Sequence, residues 1–206
     1  MARLLLAALL LSLGCSDVID VPVDSGEDGA GELKSGGDAA AQEKALHPTL
    51  GIDENIADFA LSAVTLWTVA TGGLYAPETH IGCNGDETYC IYEQPEMVTE
   101  CMDDEGMFYG CCDSGQHEIR LSEAMYLDTK ISTLAHELGH SLKLGHAAEG
   151  LMNPHRSYDE RHIACVDQGT LDAFAARYGS DEGLTVTCYS PDIRSEMLAL
   201  KSSLMK

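Results

Sequence analysis

Apolar residues recur at helical spacing in three segments of the chain. The first follows Asp53, which can cap a helix through NIADFALSAVTLWTVATGG that Gly72 and Gly73 end. The second lies in TKISTLAHELGHSLKLGH and keeps its periodicity to about Leu142, and the third, DQGTLDAFAARYG, ends at Gly179. These patterns predict three helices packed on a core. The residues expected to face that core are Ile56, Phe59, Ala60, Ala63, Leu66, Trp67, Ala70, Ile131, Leu134, Ala135, Leu138, Leu142, Leu171, Phe174, Ala175 and Tyr178.

Other segments carry strand signals or weaker helical ones. PTLGI, close to the expected start of the folded part near Leu46, is predicted to be a first strand. HEIRLSE, from His117 to Glu123, alternates polar and apolar residues as an exposed strand does. Near the C-terminus, DIRSEMLALKSSLM predicts one or two amphipathic turns.

Length and charge restrict the class of protein. A chain of 206 residues with 45% hydrophobic content can form one domain with a substantial core. Twelve basic residues stand against 34 acidic ones, which gives a formal charge of -22. Such a surface repels phosphates and anionic lipid heads, so no nucleic-acid partner is expected.

The first fifteen residues, MARLLLAALLLSLGC, are predicted to be an export signal. Arg3 precedes an apolar run, Leu4 to Leu13, that is too short for a stable membrane span. The ending at Cys15 resembles that of a bacterial lipoprotein signal, in which the cysteine carries the lipid. This interpretation predicts membrane attachment through Cys15 in the cell envelope, as an outer-membrane lipoprotein. Plain secretion to the exterior and a retained membrane anchor are the alternatives.

Residues 16–44 are rich in Asp, Glu, Gly and Ala and are predicted to be a disordered acidic tether. A short inhibitory pro-segment is the alternative role for this stretch. The folded domain is then expected to occupy residues 45–206, with a C-terminal extension.

Eight cysteines in an exported chain predict disulfide bonds. No C-x-x-C pair occurs, which argues against a zinc finger. If Cys15 carries lipid, seven thiols remain, and one of them must stay reduced or pair outside the chain. Asp103, Asp104 and Glu105 are either a solvated acidic turn or ligands of a Ca²⁺ ion. The cysteines of the irregular middle segment are Cys83, Cys90, Cys101, Cys111 and Cys112.

The stretch HELGHSLKLGH carries the clearest chemistry. His136 and His140 stand four residues apart, which places both imidazoles on one face of a helix where they can bind zinc. Glu137 projects beside such a metal and can take a proton from a water molecule. A catalytic zinc needs a third ligand, and His146 can provide it only if the helix ends before it.

This motif, followed by Met152 in GLMNP, resembles the metzincin signature and most closely its matrixin branch, the matrix metalloproteinases and their bacterial relatives. The resemblance covers about residues 46–179. It implies an α+β fold with a twisted mixed sheet, a long helix, an active-site helix and a small irregular C-terminal subdomain. It also implies that His136, His140 and His146 bind Zn²⁺, that Glu137 is general base and acid, and that Met152 lies beneath the metal.

The function implied is a zinc-dependent endopeptidase acting as a monomer on protein or peptide substrates. By the same resemblance, the strand near Ile119 and Leu121 is expected to be the sheet edge that pairs with the substrate, and residues 153–163 to wall a substrate pocket. The alternative is a catalytically weak or inactive surface lipoprotein that binds peptides.

One position departs from the family pattern, because Lys143 stands where the family has glycine. Two geometries are open. Either Lys143 adopts positive φ at a cost on the order of 1 kcal/mol, or it stays helical and Gly145 makes the turn. His117, His155 and His162 are expected to be ordinary polar residues, although His117 could join a second metal.

Overall fold

The computed structural model describes residues 38–95, 109–154 and 163–190. Its elements form a mixed α/β arrangement that agrees, at a coarse level, with the predicted α+β class. In chain order they are α1 (Asp38–Leu46), β1 (Thr49–Ile52), a 3₁₀ turn (Glu54–Ile56), α2 (Ala57–Ala70), β2 (Glu78–Ile81), β3 (Tyr89–Gln94), β4 (Gly110–Asp113), β5 (Glu118–Ser122), α3 (Leu127–Ser141), β6 (Cys165–Val166), α4 (Gln168–Tyr178) and β7 (Thr187–Cys188).

Five of the described strands form one sheet in the order β2-β1-β3-β5-β4. The pairs β1·β2, β1·β3 and β3·β5 are parallel, and β4 runs antiparallel to β5. Strands β6 and β7 form a separate antiparallel pair. Among the described strands, β4 therefore forms the edge of the sheet next to β5.

The predicted strand HEIRLSE exists as β5, but its expected exposure and edge position are wrong. Strand β5 lies inside the sheet between β3 and β4, and Ile119, Arg120 and Leu121 are all buried. Arg120 gave the segment its polar alternation, yet its guanidinium lies 3.7 Å from Asp113 and 3.8 Å from Glu118. Ion pairing allows a charged residue to be buried, so the polar and apolar alternation of this strand does not indicate a face exposed to solvent.

Helices α2 and α3 pack together and carry most of the predicted core residues. Trp67 is fully buried, and its indole Nε1 donates to the Ala135 carbonyl at 2.7 Å, which ties α2 to α3. Asp53 caps the 3₁₀ turn that leads into α2, accepting from the Asn55 N–H at 2.9 Å. The predicted end of α2 is confirmed, since Gly72 and Gly73 have positive φ after Ala70.

Helix α1 begins inside the segment predicted to be a tether. It starts at Asp38, so most of the helix falls within residues 16–44, and the domain boundary at residue 44 stays a prediction. The alanines of DAAAQEKAL have high helix propensity, which the acidic composition of the wider segment concealed. The predicted signal (1–15), the acidic cluster at 103–105, His155, His162 and the C-terminal turns lie outside the described residues.

Two disulfide bonds are present among the described residues, Cys83–Cys90 and Cys165–Cys188. The first closes a short loop before β3, and the second joins β6 to β7. Both are compatible with an exported protein. In the part of the chain that the structure describes, no helix has the length and apolarity needed to cross a bilayer.

Candidate metal centre

Three histidines meet at the C-terminal end of α3. His136 and His140 project from successive turns of the helix, and His146 comes from the loop that follows it. The Nε2 atom of His140 lies 3.0 Å from that of His136 and 3.1 Å from that of His146. Within the described ranges, these three residues are the group that could hold a metal ion.

The turn after α3 brings His146 back to the helix. Lys143 has φ of 60°. Its N–H donates to the His140 carbonyl at 2.8 Å, and the Leu144 N–H donates to the Gly139 carbonyl at 3.0 Å. These two bonds are those of a Schellman motif, whose left-handed position is usually glycine. Of the two geometries open from sequence, the structure has the strained one, because Lys143 and not Gly145 has positive φ.

Backbone carbonyls orient two of the histidine rings. The Nδ1 atom of His136 lies 2.8 Å from the Leu151 carbonyl, and that of His140 lies 2.9 Å from the Leu144 carbonyl. A carbonyl can only accept, so each Nδ1 carries a proton, and in the neutral imidazole the Nε2 atom then presents its lone pair. This is the arrangement that metal-binding histidines show, with the second ring nitrogen hydrogen-bonded outside the metal site.

The three Nε2 atoms fit a single cation. Lone pairs that face one another at 3.0–3.1 Å repel unless a positive charge lies between them. Tetrahedral zinc bonded to nitrogen at roughly 2.0–2.1 Å would hold ligand atoms about 3.3 Å apart, close to the observed spacing. The donor set is therefore compatible with zinc, although imidazole also suits copper, iron and nickel.

The protonation state of His140 favours metal binding. Burial is the main cause that lowers its pKa, to about 4; the hydrogen bond to the Leu144 carbonyl opposes this, and His146 adds a smaller lowering. The imidazole of His140 is therefore neutral at neutral pH, the form that binds metals.

Met152 lies against the helix that carries the histidines. It is buried, and a Cβ atom added at Gly139 would overlap its sulfur and lie 3.4 Å from the Trp67 ring. The glycine within HELGH thus allows Met152 to pack directly on the backbone of α3. The resemblance implied a methionine beneath the metal, and the structure places Met152 next to the helix turn between His136 and His140.

The side chain of Asp167 links the start of α4 to Leu151, the residue whose carbonyl pairs with His136. Its side chain caps α4, accepting from the Thr170 N–H at 3.1 Å, and also accepts from the Leu151 N–H at 2.6 Å. Burial raises the pKa of Asp167, but hydrogen bonds from Leu151 and Thr170 outweigh this and hold the pKa below its ordinary value. Since the Leu151 carbonyl orients His136, Asp167 is connected to one of the three candidate metal ligands through a single residue, Leu151.

Glu137, which follows His136 in α3, is buried, with 6% of its surface exposed. Strand β4 passes close to it, because a Cβ at Gly110 would lie 2.9 Å from Glu137 Oε1 and 2.6 Å from Thr133 Cγ2. Glycine at position 110 therefore makes room for the carboxylate.

The three histidines, Glu137 and Met152 were predicted from the sequence, whereas Asp167 and Gly110 were not. An aspartate three residues before Thr170 is a helix-cap signal, which could have marked Asp167, whereas no pattern pointed to Gly110. His117 lies outside the cluster, and its Nδ1 pairs with the Thr88 carbonyl at 3.0 Å. It joins no second metal group among the described residues.

Comparison with known protein-family models and with curated proteins finds no match for this chain. The fold and the site together define a mixed α/β protein with a three-histidine centre compatible with a zinc ion.

Proposed function

We propose that this protein is a zinc-dependent endopeptidase with a matrixin-like metzincin architecture. The observation that carries the proposal is the convergence of three histidine Nε2 atoms next to a buried glutamate, at the end of one helix. Three protein ligands leave a tetrahedral ion with one open position, as in catalytic zinc sites. A structural site would instead use a fourth protein ligand.

His136, His140 and His146 would hold the zinc ion, which when bound polarises a carbonyl and makes a water molecule more acidic. Glu137 takes the proton of the attacking water and passes it to the leaving amine. Its burial keeps the carboxylate in a setting of reduced dielectric, where its interaction with a developing positive charge is stronger than in water.

Strand β4 supports a peptide substrate in this proposal. It is the outermost described strand next to β5, although Gly110, Cys111 and Cys112 are buried, and an edge strand that becomes accessible offers backbone N–H and C=O groups to an extended peptide. Gly110, at the start of β4, approaches the carboxylate of Glu137. A peptide paired with this edge would run close to the proposed general base. This assigns to β4 the role that sequence analysis gave to β5.

The test is cleavage of casein and a peptide library by purified protein, with and without a chelator, for the wild type and Glu137→Gln. We expect cleavage by the wild type, its loss with chelator and its recovery on adding zinc. The variant should keep stoichiometric zinc, measured by elemental analysis, and lose at least about a hundredfold in rate, the lower range for general-base catalysis. Unimpaired cleavage by Glu137→Gln would refute the base role.

A second candidate is a surface lipoprotein that keeps the site but only binds peptides. The strained Lys143 at the turn before His146 favours it, since the family pattern has glycine there. Binding of peptides to zinc-loaded protein without cleavage would support this candidate.

In either case Cys15 is proposed to anchor the chain to a membrane. The test is incorporation of labelled palmitate, which should be lost in Cys15→Ser.

A further inference from the structure

A cavity of about 210 Å³ opens at the end of α3, and none of the three candidate metal ligands lines it. One side is formed by α1 and the residues before β1, including Ala45 and Pro48, and another by Tyr89 at the start of β3. Alanine, proline and the tyrosine ring give the cavity an apolar lining. Ser114 and Ser141 add hydroxyl groups to it.

The charged groups of this cavity are all basic. Lys44 and Lys143 line it together with His117, and no aspartate or glutamate does. That composition is the reverse of the chain's, which has 34 acidic residues and 12 basic ones. Among the described residues neither lysine forms a salt bridge. The carboxylate of Asp113, which precedes Ser114, is turned to the Gly115 and Gln116 N–H groups and toward Arg120.

Backbone strain is found at the same place. The non-glycine residues with positive φ in the described ranges are His117, at 59°, and Lys143, at 60°, and both line the cavity. Each is held by backbone hydrogen bonds: the His117 carbonyl accepts from Cys90 N–H, and the Lys143 N–H donates to His140. Strain of this kind persists where surrounding structure imposes it and is concentrated at ligand sites.

We propose that this cavity binds a small molecule, or a chain end, that joins an apolar body to a carboxylate. The apolar lining takes the body, and Lys44 and Lys143 pair with the carboxylate. The volume suits a group somewhat larger than benzene, which fills a cavity of about 150 Å³. Neither the candidate metal ligands nor Glu137 line this cavity, and the proposal does not depend on the protease function.

The experiment is an NMR titration of the full chain, lacking or containing zinc, with 3-phenylpropionate and its neutral analogue 3-phenylpropanol. For about ten non-hydrogen atoms we expect a dissociation constant on the order of millimolar. Binding of the acid should shift the amides of Ser114, His117 and Lys143 equally in both metal states. The alcohol should bind several-fold more weakly. Acid binding that requires zinc would place the ligand on the metal and overturn the proposal.

Charge removal tests the two lysines. Lys44→Gln and Lys143→Gln are each expected to weaken binding about two- to fivefold, as for exposed ion pairs, and the double variant about tenfold. Arg177→Gln removes an exposed positive charge that does not line the cavity and should have no effect. Lys44→Gln leaves the strained turn intact, so unchanged affinity in that variant would refute the assignment even if Lys143→Gln failed to fold.

The source of the carboxylate is distinguished by a second pair of probes. N-acetylphenylalanine presents the carboxylate of a peptide C-terminus, and its amide removes the charge. Tighter binding of the peptide acid than of 3-phenylpropionate assigns the cavity to chain ends, and the reverse assigns it to free small acids. Equal binding of N-acetylphenylalanine and its amide would overturn the role of charge.

Discussion

Replacing Lys143 with glycine should stabilise this protein, because Lys143 makes a left-handed turn that glycine makes without strain. Two backbone hydrogen bonds hold φ of Lys143 at 60°, so the conformation cannot relax while the turn exists. A left-handed residue with a Cβ is strained by roughly 1–2 kcal/mol. Glycine also makes the unfolded chain more flexible, which lowers stability by about 0.4–1 kcal/mol.

The difference is a net gain of about 0.5–1 kcal/mol in the free energy of unfolding of Lys143→Gly. For a domain of this size, that corresponds to a rise of about 1–4 °C in the melting temperature. The measurement is urea and thermal denaturation of the metal-free protein followed by circular dichroism. Metal-free protein is used because bound zinc would add its own stabilisation to both proteins.

Two control variants separate backbone strain from other effects. Lys143→Ala removes the charge and keeps the Cβ, so the strain and the stability should stay within about 0.5 kcal/mol of the wild type. Gly145→Ala changes a glycine without positive φ whose Cβ would meet open space, and it should not destabilise. If Lys143→Gly were no more stable than the wild type while Lys143→Ala were less stable, the lysine side chain would contribute contacts that offset its strain, and the reasoning would be wrong.

Three further variants probe the surroundings of the histidines. Asp167→Ala should lower stability by about 0.5–2 kcal/mol through loss of a helix cap and weaken zinc binding in a competition assay. The folded-state pKa of Asp167 is depressed, so the stability that its carboxylate contributes is present above the unfolded pKa and is lost as pH falls through the folded pKa. Urea denaturation across that acidic range should therefore show the variant losing less stability than the wild type. Gly139→Ala should cost about 1–3 kcal/mol, read from urea midpoints, because its Cβ overlaps Met152. Gly110→Ala should keep its zinc, as measured by elemental analysis. Its cleavage rate should fall by about tenfold or more, because the added Cβ displaces Glu137. Unchanged cleavage would exclude close packing at that carboxylate.

The helices and two of the histidines could be predicted because their signals are local. The spacing of four between His136 and His140 decides their shared face as soon as the segment is helical, and α3 is helical from Leu127 to Ser141. Trp67 was predicted as a core residue from periodicity and is fully buried. The cap at Asp53 and the helix end at Gly179 are likewise short-range features, each determined by a few neighbouring residues.

Other features depend on which segments meet in space, and only the tertiary structure decided them. Strand β5 is buried because β4 covers its outer side and Arg120 finds two carboxylates, neither of which alternation can report. The choice between Lys143 and Gly145 for the turn was open from sequence, because local propensity favours glycine. In the structure Lys143 makes the turn, and two contacts hold the residues on either side of it. The Leu144 carbonyl pairs with His140 Nδ1, and the Tyr178 hydroxyl donates to the Leu142 carbonyl at 2.8 Å. Long-range packing can hold one residue in a strained conformation when many contacts around it require that geometry.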